Sequence, residues 1–411
     1  MLQRVLCTAA VLGAVAMPAS ADAAGKTAGP WPDVAVVGYT LPTATYRGVT
    51  LDPTLTTGPS HVGKVKVTVT VKHGKKTKTK VKFVTETIQS NDEWLVVSSR
   101  IATNVVSVST TGTFGSVATS LLPPGNLPGA AIGTLPTYGS VEADGYVWLL
   151  DYSVSPAPLY AVGRGGAVHL VASLNGDFTG LTASGNTLEA TDNSGFIDKC
   201  VINKGPAAAC TPIAVPTTID GGQVDAIGTV RDRVWFTDDA GELANFRPVT
   251  DRFAGPFGDR KVGGVLTGEA SSDPGTLTTS DGGYLYLAGG QDTDALFDND
   301  QILKINPGSG HVMRSYSDGL TDVVALTGAS DGNVWFVDQT NTSTGAGRIG
   351  LLDTKAGWIH EYNLPRGYRL PAVGAAIAAG PVGSETVFFT LQTISGGHAA
   401  VGEVSGIGPG A

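Results

Sequence analysis

The 411-residue chain can hold one large domain or two ordinary ones, and it is acidic, with a formal charge of −9 and only 15% charged residues. Glycine is abundant, at 56 residues without a triplet period, which suits an all-β fold that turns many tight corners. No stretch after residue 25 keeps a 3.6-residue apolar period, so almost no helix is expected, and the acidic body argues against a nucleic-acid partner.

Residues 1–21 read as a signal peptide. Arg4 supplies the charge, Val5 to Met17 the apolar core, and Ala19-Ser20-Ala21 the cleavage site. The apolar run is too short to span a bilayer, and nothing later approaches the roughly 18 apolar residues of a spanning helix. Cys7 lies inside this segment, away from a lipidation position. The expectation is a secreted or cell-envelope protein with no membrane span, and a monomer. Residues 22–32 follow as a linker.

Asp33 to Pro42, DVAVVGYTLP, resembles the IHEYNLP that closes a unit near the other end of the chain. A lone final strand at the start suits a ring whose termini pair, which leaves no exposed edge. Tyr46-Arg47-Gly48-Val49-Thr50-Leu51 reads as the inner strand of the first unit.

An insertion at 62–86 interrupts that unit. Val65, Val67, Val69 and Val71 alternate with Lys and Thr, His73-Gly74 marks a turn, and Val81 and Phe83 continue the apolar positions with Lys78, Lys80 and Lys82 opposite. A β-hairpin apolar on one side and basic on the other is expected. Residues 64–82 hold eight lysines and no acid, and without them and Arg4 the remainder carries about −18. A basic face that includes Lys76, Lys78, Lys80 and Lys82 suits an anionic cell-envelope polymer or surface, where each lysine near a membrane contributes about 1 kcal/mol. Lysines on an exposed strand also block edge-to-edge aggregation, and both readings stay open.

Cys200 and Cys210 flank VINKGPAAA, a spacing that suits two hairpin strands. In an oxidising compartment a local disulfide is expected; a metal pair lacks a neighbouring Cys or His.

An anchor position recurs at Trp94, Trp148, Leu188, Trp235, Leu285, Trp335 and Phe388, preceded in most units by a turn such as Asp144-Gly145 or Asp281-Gly282-Gly283. Units of about 40–50 residues are the size of four-stranded propeller blades, which need several copies to close. The expectation is an all-β, seven-bladed propeller over 33–405, with 406–411 as a tail; irregular spacing leaves six or eight blades open.

The clearest unit is Asp331–Pro365. Asp331-Gly332-Asn333 makes a tight turn, and strands follow at Val334–Asp338, around Arg348–Leu352, and at Trp358–Tyr362. Its D-G-N-V-W-F-V-D, G-R-I-G and I-H-E-Y-N-L-P resemble the repeat of the virginiamycin B lyase (streptogramin lyase) family, closely here and fairly around Trp235 and Trp148. The resemblance implies a propeller and, with it, elimination across an ester linkage of a cyclic depsipeptide antibiotic with magnesium. It also implies an inner-strand His and a Glu ending a W-F-x-E strand. Neither is at the matching positions. The last inner strands read TDVVALTGAS and PAVGAAIAAG, and Leu391 stands where the acid would be.

Acids do persist at strand ends, at Asp151, Asp238 and Asp338. A ring of them could hold Mg or Ca, which take oxygen ligands, or each could cap a turn through backbone amides. The loop 291–300, with Asp292, Asp294, Asp298 and Asp300, is a second candidate calcium site, set against a plain solvated loop; it lacks the EF-hand Gly and Glu. Gly345-Ala346-Gly347-Arg348-Ile349-Gly350 matches a dinucleotide motif, but a strand follows where a helix is required. Gly328-Ala329-Ser330-Asp331-Gly332 matches a nucleophile elbow, at what is a plain turn in other units. The function expected is an exported, non-catalytic binding or scaffold module that takes an unknown ligand or protein at a propeller face. The alternative is a lyase or metal-assisted hydrolase on the same ring.

Overall fold

A computed structural model describes residues 35–37, 51–57, 61–73, 76–88, 92–99, 103–109, 114–119, 138–152, 154–219, 224–238, 243–257, 277–279, 283–289, 300–329, 332–341, 345–371, 375, 377–379, 386–394 and 399–405. Before residue 139, side chains are described only at Lys64, Val81 and Phe83. The proposed leader, linker and tail lie outside these residues.

Every regular element among them is a strand, as the absence of a helical period requires. Six sheets are four-stranded antiparallel meanders that run from an innermost to an outermost strand in chain order. They span 51–119, 138–174, 178–214, 224–257, 277–316 and 323–363, and are numbered here as the first to sixth blades. The closing sheet is different. Its strand Thr386–Thr393 carries two short segments on its inner edge, Tyr368–Arg369 and Ile377–Ala379, and pairs outward with Ala399–Ser405. Ala35–Val37 then completes it, with Val36 opposite Gly402.

The expected closure by a strand near 34–41 is therefore present. Among the described residues the expected seven four-stranded blades are not found; six such sheets, a count the irregular spacing left open, are joined by a five-stranded closing sheet. Pro371, which has no amide hydrogen to donate, stands in the break between the two inner segments. The first inner strand is also shifted, because it is Leu51–Thr57 and shares only Leu51 with the expected segment. Residues 46–50 lie outside the described ones.

The innermost strands pack one beside the next around the ring, and Ile377–Ala379 meets Leu51–Thr57 to close it. Threonine hydroxyls help hold this girdle. Thr182 and Thr229 lie 2.9 Å apart between the third and fourth blades. Thr278 Oγ1 accepts from the amide of Gly328 at 3.0 Å, and Thr327 Oγ1 accepts from that of Ala379 at 3.2 Å.

Each anchor falls on the strand next to the innermost one of its sheet. The strand next to the innermost, as in Tyr146–Asp151, Thr187–Asp192 and Leu285–Gly289, is buried on both faces, so its alternate residues serve two cores. In the sixth blade Trp335 and Val337 pack with Phe389 and Leu391 of the closing sheet. Val334 and Phe336 instead join Tyr286, Ala288 and Ile302 of the fifth. This is why the VWFV pattern is apolar without alternation, and why one blade cannot stand alone. Its strands are Val334–Asn341, Ala346–Asp353 and Trp358–Asn363, a few residues longer than the sequence suggested. Cys200 and Cys210 sit directly opposite on adjacent strands of the third blade and form a disulfide.

Candidate functional site

The ring has two features with chemistry to offer, a rim of strand-end acids and a basic ribbon. The acids come first. Asp151, Asp238 and Asp338 each stand opposite the first residue of their blade's innermost strand: Tyr138, Val224 and Val323. The repeat thus brings them to equivalent places on one rim. A fourth was missed in the sequence. Asp192 occupies the same position opposite Phe178, disguised because its anchor is Leu188 instead of Trp.

The partners of two of these acids decide what they do. Asp338 is fully buried, and its Oδ1 accepts from the amides of Thr321 at 3.1 Å and Asp322 at 2.7 Å. It clamps the entry to the inner strand. Beside it, Glu361 is ion-paired with Arg348. Burial pushes the Glu361 carboxyl above the ordinary range, Arg348 opposes this, and the nearby Asp338 carboxylate adds to it. Asp192 Oδ1 accepts from Ser194 at 2.8 Å and Phe196 at 3.0 Å, capping the turn that follows. Asp198 is pushed up to about 6, first by burial and then by the charge of Asp192. Asp151 is buried, and with burial as the larger cause its charge holds the Tyr160 hydroxyl up at about 12.

A hard cation needs several oxygens converging on one point. Among the described residues no three His, Cys, Asp or Glu side chains do so. Asp338 and Asp192 each commit one oxygen to backbone amides. The Asp238 side chain, and the residues Asp292, Asp294 and Asp298, lie outside what is described; Asp300 directly precedes the strand Gln301–Ile305.

Histidines are displaced from the ring's centre. His61 and His73 end one ribbon strand, His169 and His360 lie on outermost strands, and His311 precedes another. No described histidine is on an innermost strand, and His398 is outside the described residues. At the closing sheet, where the resemblance requires an acid, Leu391 is fully buried in the core shared with Trp335.

The basic ribbon leaves the first blade between its first two strands. Its strands, His61–His73 and Lys76–Ile88, are 13 residues each and form a two-stranded sheet of their own. With His73 opposite Lys76, odd positions going out meet even positions coming back. Val67, Val69 and Val71 therefore stand opposite Lys82, Lys80 and Lys78, while Phe83 and Val81 stand opposite Lys66 and Thr68. Directly opposite residues share a side of an antiparallel ladder. The expected split into an apolar face and a basic face is corrected: both sides mix apolar and lysine positions. A one-residue slip in pairing reverses every face, and the turn sets that register. Phe83 is 66% exposed and Val81 53% exposed.

No protein-family model matches the sequence, and no curated protein does. Solved structures do match. A catalytically inactive histidine-to-alanine variant of virginiamycin B lyase from Staphylococcus aureus, with quinupristin, is similar over 90% of this chain and 98% of its own, at 14% identity and a TM-score of 0.53. The ring has a virginiamycin B lyase-like fold. A streptogramin B lyase structure matches over 76% of this chain and 90% of its own, at 15% identity and a TM-score of 0.51. YCF48 bound to D1 peptide matches over 93% and 99%, at 11% identity and a TM-score of 0.55. At these identities the likeness is one of fold.

Proposed function

We propose that this protein is an exported, non-catalytic propeller that acts as a binding or scaffold module and contacts anionic cell-envelope material through its ribbon. The observation that carries this reading is the ribbon itself, a 13-residue two-stranded sheet outside every blade, with eight lysines and no acid between 64 and 82. A peptide-bound propeller among the structural neighbours supports binding at such a ring. The N-terminal apolar segment and the Cys200–Cys210 disulfide support export.

Replacing Lys76, Lys78, Lys80 and Lys82 together with Ser and measuring retention on anionic envelope polymer tests the reading. Weakened retention of the variant, recovered only at lower salt than wild type needs, is expected; unchanged retention sinks it.

The second reading, a lyase on the same ring, rests on the likeness to the streptogramin B lyase propeller. A cation at the acidic 291–300 loop would belong to it. The buried Leu391 and the absence of a described inner-strand histidine weigh against it. The purified protein is expected to leave a streptogramin B compound closed with or without Mg; turnover at a true lyase's rate would reinstate this reading.

A further inference from the structure

We infer that the ribbon seats on an anionic lipid surface, using Phe83 and Val81 together with its lysines. This rests on the ribbon being the contact element, as proposed above, and goes further by fixing the occupant. A hydrophilic polyanion would satisfy lysines and leave apolar side chains in water. Phe83 and Val81 lie two residues apart on one strand, hence on one side, and both are exposed. They are the only large apolar side chains described on the ribbon, and register places Lys66 directly opposite Phe83. Lys64, two positions from Lys66, is itself exposed. Apolar positions flanked by lysines on one side suit the boundary of a charged bilayer, where rings and methyls enter the acyl margin and ammonium groups stay with the headgroups.

The charge distribution points the same way. Eight lysines clustered between 64 and 82 oppose about −18 over the remainder, so the ribbon is the part most strongly drawn to an anionic surface. At about 3.4 Å per residue a 13-residue strand extends roughly 44 Å, several times the screening length of about 8 Å at physiological salt. Its lysines can therefore meet the surface while most of the acidic ring is screened from it.

The experiment is co-sedimentation of the full chain with phosphatidylglycerol-containing vesicles, with pure phosphatidylcholine vesicles, and with polyphosphate beads. Wild type is expected on the anionic vesicles and not on the neutral ones. The double variant V81S/F83S is expected to lose roughly tenfold in vesicle partitioning while polyphosphate retention is unchanged. Vesicle binding unaffected by V81S/F83S overturns the lipid inference and leaves the anionic reading standing, as does binding to beads alone. Binding to both that survives loss of Lys64, Lys66 and Lys72, on the side of Phe83, together with Lys76, Lys78, Lys80 and Lys82 overturns the reading beneath it. Circular dichroism and thermal melts of each variant separate lost binding from lost fold.

Discussion

The ring of Phe336 lies on Gly350, its cross-strand partner in the sixth blade, so closely that a Cβ on Gly350 would come within 1.9 Å of the ring. The same relation recurs in the closing sheet, where Phe389 lies on Gly402 and a Cβ would come within 2.2 Å. Phe336 and Phe389 are fully buried, so neither ring can give way. The aromatic of one strand and the glycine of the next form one packing unit of the repeat.

Gly350→Ala is therefore expected to destabilise the protein by about 2 kcal/mol or more through overpacking. Chemical denaturation checks this, and relief by the double change Gly350→Ala with Phe336→Leu would assign the loss to this contact.

Asp338→Ala is expected to cost about 1–3 kcal/mol, since it removes the acceptor of the amides of Thr321 and Asp322. If the acid is a clamp, millimolar Mg or Ca leaves the wild-type melting temperature where it was. A cation-dependent rise that disappears in Asp338→Ala would show a ligand role instead.

Glu189 is fully buried; Thr187 donates to one of its oxygens at 2.5 Å. Burial pushes it up to about 7, opposed by the Thr187 bond and the charge of Lys199. With a folded-state pKa above the unfolded one, its contribution is fully present below about 4.5 and is lost as pH rises through about 7. Glu189→Gln is expected to be close to neutral at pH 4 and stabilising by up to about 3 kcal/mol at pH 8. Denaturation curves at the two pH values check the sign.

Removing the chain through Val37 is expected to uncover the strand Ala399–Ser405 and promote association through that edge. Light scattering of the truncated protein, compared with the full chain, measures it.

Reduction of Cys200–Cys210, which are 10 residues apart, is expected to lower stability by about 2 kcal/mol or less, because the loop it closes is short and already a hairpin. Melts with and without reductant check the shift.

The sequence by itself determined the all-β ring, the strand that closes it, the anchor on the second strand of each sheet, and the disulfide. All of these are set by local turn chemistry and by a pattern that repeats. It also placed the acids at strand ends, apart from Asp192, which sits in a blade whose anchor is Leu188. Only the tertiary structure decided the rest. The break at Pro371 and the five-stranded closing sheet depend on which strand each segment meets. The role of Asp338 depends on amides 16 and 17 positions away. The need for glycine at 350 depends on the ring of Phe336 that lies on it from the next strand. The ribbon's two mixed faces turn on a single residue of register, which no period-2 pattern contains, because alternation defines the sides of each strand and pairing alone joins them.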